Sequence, residues 1–176
     1  MAALGGRRPR PDPVPRGLAE NGLAYESVWD YPRPPRVEPE TRRVTVALGN
    51  EPIAESERAL RVLETAGAPT VYIPPEDIVD GVLAPVEGTS FCEWKGTASY
   101  LDVRAASLEV RRGGWSYPRP SNGYAQLAGF VSFYTALLDC RLGSEIVSPQ
   151  PGGFYGGWVT AEIVGPIKGD PGTGGW

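Results

Sequence analysis

Histidine is absent from this chain, and cysteine occurs only at Cys92 and Cys140. Without imidazole and without a Cys-x-x-Cys pair, the nitrogen and sulfur ligand sets that hold zinc or copper cannot be assembled, leaving an all-carboxylate site as the only metal option. No metal and no cofactor are therefore expected. A chain of 176 residues with 41% apolar content can build one packed core without a disulfide staple, so both thiols are expected to be free.

Long apolar runs are missing too. No stretch reaches the length of a membrane span, and the N-terminal "MAALGGRRPRPDPVPRG" has no continuous apolar segment of the kind that opens a secretory signal. These absences point to a cytoplasmic protein with no membrane partner. The net charge of −4 leaves no dominant basic face, which argues against nucleic acid as a partner. No Asp-x-Asp pair occurs to hold magnesium around a triphosphate, which ranks nucleotidyl transfer last.

Lysine is the scarcest charge. Of 17 basic residues only Lys95 and Lys168 are lysine, and the rest are arginine. Against that bias an amine stands out, because lysine can lose its proton or form a Schiff base and arginine cannot. Lys95 carries a functional reading on equal terms with a surface one; Lys168 carries it more weakly.

The pattern along the chain is mainly β. Residues 1–20 read as a flexible, basic, proline-rich tail, and residues 21–176 as a single domain. "YESVWDYPRPPRVEP" reads as an irregular strap with its aromatics turned inward. "RRVTVAL", "GN" and "EPIAES" form a hairpin signal, and Ser56 is placed to cap a short helix over "ERALRVLE". "PTVYIP" reads as a buried strand, "PPEDIV" as a proline-initiated helical turn, and "GTASYLDVR", "ASLEVRRGGWSYP" and "AGFVSFYTALLD" as strands. The expected fold is α+β in the mainly β sense: a curled antiparallel sheet or small open barrel with one or two short helices.

The ordered set "ESVWDYPRPPRVEP", "IAESERALRVLE", "YIPPEDI", "CEWKGTASY", "GWSYPRP", "GGWVT" and "GPIKGDPGTGGW" resembles the domain-of-unknown-function family numbered 427, also labelled nucleotidyltransferase-like domain nine. The likeness runs from about Glu26 to Trp176. It implies a small, mainly β domain with a curled sheet and one short helix, and it implies no agreed chemistry. Where that family pattern carries Cys-Pro-Trp-Lys-Gly, often after a histidine, this chain has Phe91 before Cys92 and Glu93 after it.

The segment from Cys92 to Tyr100 is the centre of interest. Read as a strand from Lys95, it puts Trp94, Gly96, Ala98 and Tyr100 on one face and Lys95, Thr97 and Ser99 on the other, the small residues leaving room between two rings. Lys95 and Tyr100 are catalytic candidates, and Cys92 is a candidate nucleophile weighed against an inert buried thiol. Glu26 and Glu76 are carboxylate candidates for acid and base work, each weighed against a cap or a solvated charge. Trp29, Trp94, Trp115, Tyr117, Tyr155 and Trp158, in stretches punctuated by glycine or proline, are candidate stacking residues for a flat ligand, with Arg33 beside them.

These residues support, as the first reading, a metal-free enzyme acting on a small aromatic or heterocyclic molecule by proton transfer or by addition and elimination. The expected partner is that small molecule, and the protein is expected to be a monomer or homodimer. The alternatives are a non-catalytic binding module, a protein-interaction domain using the strap and basic tail, and a nucleotide-binding protein.

Overall fold

The computed structural model describes residues 7–176, so the first six residues of the expected tail lie outside the described residues. The strand Leu83–Cys92, irregular between Pro85 and Thr89, pairs with Gly96–Ala105; that strand pairs with Leu108–Ser116, and Leu108–Ser116 with Val131–Phe133, in one antiparallel four-stranded sheet. A second such sheet orders Glu145–Ile146, Asp139–Leu142, Val44–Leu48 and Glu51–Ser56. A three-stranded sheet orders Arg36–Pro39, Leu60–Leu63 and Thr70–Tyr72, and the Ile73–Val131 bridge ties it to the first. The domain is mainly β, and its sheets do not close into a barrel.

The hairpin Val44–Ser56 forms as its alternation predicts, with Val44, Val46 and Leu48 facing inward. Those side chains join Ile53, Val71, Val103, Phe133, Leu142 and Trp158 in the main core. Burying several such residues at about 1.5–3 kcal/mol each supplies the main force for closing the sheets together.

The helix expected after Ser56 is not there. Leu60–Leu63 is a strand between two others, and the three helical turns among the described residues, Val28–Asp30, Pro75–Asp77 and Ala125–Leu127, are all 3-10. The reason is burial on both faces. Leu60 and Val62 pack into one cluster while Leu63 packs into another, so apolar residues accumulate at a spacing that resembles one helical stripe. Ser56 accepts the Arg58 N–H at 3.0 Å and donates to Asp77 at 2.6 Å, which makes a turn. The long strand expected over residues 128–139 is also shortened to Val131–Phe133, because Tyr134 opens a turn that closes on Leu138.

The strap lies as expected, with Trp29 and Tyr31 buried. It also pairs: Glu26–Ser27 runs parallel to Ile163–Val164, and the Trp29 indole N–H donates to the Pro166 carbonyl at 2.9 Å, while from the segment before it the Asp12 N–H donates to the Gly165 carbonyl at 2.9 Å. Under the strap sits a buried charge cluster. Arg42 contacts Glu40 at 2.9 Å and Glu162 at 3.0 Å, and Glu162, only 2% exposed, also accepts from Asn21 at 2.7 Å. Among the described residues, no helix is long and apolar enough to cross a membrane.

Candidate functional site

A cavity of about 510 Å³ opens where the hairpin Leu83–Ala105 meets the three-stranded sheet and the C-terminal loops. Its floor is aromatic for a local reason. In the antiparallel ladder Tyr100 faces Trp115, and Thr70–Tyr72 brings Tyr72 beside them. Tyr72 and Trp115 meet edge to face at 6.2 Å, the Trp115 indole donates to the Tyr72 hydroxyl at 3.3 Å, and Tyr134 packs at 4.5 Å from Trp115. Burial pushes the phenols of Tyr72 and Tyr117 well above their ordinary value, and Tyr134 up to about 12, so all three are neutral hydroxyls at physiological pH.

Lys95 reaches this space from a turn. The strand expected to start at Lys95 starts at Gly96, and Glu93–Lys95 is the hairpin bend. Gly96 adopts φ +100°, and the Lys95 N–H is 3.5 Å from the Cys92 sulfur. This geometry corrects the expected face assignment: Lys95 lines the cavity together with Trp94, Ala98 and Tyr100, while Thr97 is exposed. The residue is 8% exposed, and its Nζ lies 3.9 Å from Glu64 Oε2 and 5.7 Å from the Tyr117 ring. Burial alone would lower its pKa, but attraction to Tyr117, Cys92 and Glu64 in their ionised forms outweighs burial and the net shift is upward.

Lys168 lines the same cavity from the C-terminal loop. Its backbone is fixed on both sides, the N–H donating to the Ala66 carbonyl and the carbonyl accepting from Gln150 Nε2, each at 2.9 Å. Its Nζ stands 4.6 Å over the Tyr155 ring. The two lysines of the chain thus meet at one aromatic hollow, each under 10% exposed.

Eight of the sequence-derived candidates line this hollow: Arg33, Cys92, Trp94, Lys95, Tyr100, Trp115, Tyr117 and Tyr155. Four lie elsewhere. Glu26 is held by Arg61 at 2.7 Å and by the Tyr31 hydroxyl at 2.6 Å, and Glu76 is exposed on the Pro75–Asp77 turn. Trp158 fills the main core with its indole N–H on the Phe133 carbonyl at 3.1 Å, and Trp29 packs on Trp176 at 5.9 Å. Sequence reasoning missed Glu64, Tyr72, Tyr134 and Gln150. Glu64 ends the segment read as a helix, where only the face of Ala59, Leu60 and Leu63 stood out.

Among the described residues no three Cys, Asp or Glu side chains gather as a metal ligand set. Tyr100 shares a hydrogen bond with Ser90 at 2.8 Å, and Arg112 stacks on its ring at 4.4 Å. The cavity wall presents ring faces, phenol hydroxyls, the Cys92 thiol, the Gln150 amide, three cations and the carboxylates of Glu64 and Glu93.

A mainly β domain with a lysine-bearing aromatic hollow on one long hairpin is the class the fold and site define. The chain belongs to the family described as domain of unknown function DUF427, with the label NTP_transf_9, whose family model matches residues 36–143. No curated protein matches the chain.

Proposed function

We propose that the protein is a metal-free enzyme that binds a small aromatic or heterocyclic molecule in this cavity and acts on it by proton transfer or by addition and elimination. One observation carries the reading. In a chain whose positive charge is otherwise arginine, both lysines are buried and open onto one aromatic hollow. Burying an ammonium costs free energy unless something compensates it, so two in one place point to a use.

In this reading the rings of Trp94, Trp115, Tyr117 and Tyr155 stack on the ligand, and the Lys95 ammonium stabilises negative charge or gives up a proton as it develops. Glu64, at 3.9 Å, is the carboxylate that keeps Lys95 charged and can take back a proton. Free Cys92 and Cys140 accord with work in the reducing cytoplasm, as a monomer or homodimer.

Tryptophan fluorescence titration of the full chain with aromatic carboxylates, purines and pyridines, followed by crystal soaks of any that bind, tests the reading. Binding in the cavity that weakens ~10-fold or more in Lys95→Met is expected. A panel with no occupant of the hollow would remove the reading; binding without turnover would select a carrier or sensor instead of an enzyme.

A further inference from the structure

The two lysines are not equivalent. Lys95 has a carboxylate 3.9 Å away, whereas among the described residues no carboxylate comes within ion-pair range of Lys168. Its Nζ faces the ring of Tyr155 instead. A ring face is a weak counter-charge against the larger cost of keeping an ammonium out of water. The balance of the groups around Lys168 also disfavours its charge. Burial is the largest cause lowering its pKa, Arg33 and Lys95 add to it, and Glu64 and Cys92 oppose it, with a net downward shift.

We propose that Lys168 is the nucleophilic amine of the cavity and forms an imine with an aromatic aldehyde or ketone, while the Lys95 ammonium protonates the departing oxygen. The proposal rests on the reading of the cavity given above and names its substrate class as a carbonyl compound. The Nζ lone pair of neutral Lys168 attacks the carbonyl carbon, a C–N bond forms, and the C=O π pair moves to oxygen. The resulting carbinolamine oxygen takes a proton from Lys95 and the C–O bond breaks. The two protons lost by nitrogen balance the two gained by oxygen, water leaves, and Lys95 recovers its proton from the amine through solvent or Glu64. Glu64 holds the donor charged; the loop backbone bonds to Ala66 and Gln150 hold the nucleophile in place.

Because the chain has two lysines, reductive trapping reads the outcome directly. Full-length protein is treated at neutral pH with salicylaldehyde and sodium cyanoborohydride, whose hydride converts the imine to a stable secondary amine, and the adduct is mapped by peptide mass spectrometry. The expected result is Lys168 labelled ~10-fold or more faster than Lys95, whose ammonium is held by Glu64. Labelling should be lost in Lys168→Arg, stay on Lys168 but slow down in Lys95→Arg, where the proton donor is gone, and be blocked by excess salicylate without any substitution. Equal labelling of the two lysines, preferential labelling of Lys95, or no adduct would overturn the proposal. Salicylate has no carbonyl open to this attack. If it quenches tryptophan fluorescence while salicylaldehyde leaves no adduct, the imine chemistry falls and the binding cavity stands; if neither interacts, both fall.

Discussion

Lys95 and Glu64 face each other across the cavity at 3.9 Å, joining the hairpin bend to the end of the Leu60–Leu63 strand. An ammonium with a carboxylate beside it and another without one should titrate differently. With two lysines in the chain, NMR of protein carrying 13C at lysine Cε will show two signals. The Lys168 signal should titrate below the ordinary lysine value and the Lys95 signal above it. Glu64→Gln should bring Lys95 down. Coincident titration of both signals would contradict this electrostatic asymmetry.

Arg42 is the next place where one atom group decides much. It is the cation shared by Glu40 and Glu162, and Arg42→Met would leave two buried carboxylates without it. A loss of about 3–5 kcal/mol in urea unfolding is expected. Acid should act on the same cluster. Burial would raise the Glu162 pKa, but hydrogen bonds from Thr160 and Asn21 and the charge of Arg42 outweigh it, so its folded value is lowered. Its contribution is complete above the unfolded carboxylate value and fades as pH falls through the lowered folded one. Unfolding midpoints of wild type should drop with acid, and Glu162→Gln should flatten that part of the profile.

Gly156 lies against the cavity floor so closely that a Cβ there would occupy the space of the Trp115 ring. Gly156→Ala should therefore cost about 1–3 kcal/mol and displace an aromatic wall. Chemical denaturation measures the first effect, and altered near-ultraviolet circular dichroism reports the second. Wild-type stability and spectrum in that variant would show that the loop simply yields.

The thiols should react unequally. Burial first, and Asp139 second, raise the Cys140 pKa far above the thiol range, whereas Cys92 is partly exposed at the cavity. Titration of native protein with a disulfide dye should consume one thiol promptly and the other on unfolding. Cys92→Ser should remove the prompt phase, and it also tests a thiolate mechanism: retained turnover in that variant would eliminate one.

Much of this was legible in the residues. The hairpins announced themselves by alternation and turn residues, and Lys95 by being an amine in an arginine-rich chain. Glycine beside aromatics marked Trp115, Tyr117 and Tyr155, and all three residues line the hollow. Trp158 sits in a similar sequence context, yet its ring points into the core; local composition does not say which way a strand's face turns until its partners are known. Glu64 failed for a related reason, since a strand buried on both faces loses the alternation that would distinguish it from a helix. A glycine-rich terminal loop carries no periodicity at all, and Lys168 is fixed there by a hydrogen bond to the Ala66 carbonyl and another from Gln150, both distant in sequence.

The parallel pairing of Glu26–Ser27 with Ile163–Val164 has a practical corollary. Both strands lie outside the family-matched stretch, residues 36–143, and so does the loop that supplies Gln150, Tyr155 and Lys168. A clone trimmed to the matched stretch would keep the hairpin with Lys95 and discard the opposite bank of the hollow together with the strand that anchors it. Grafting either flank from a relative would succeed only if its mate were transplanted as well, because the two flanks brace each other as a single bracket.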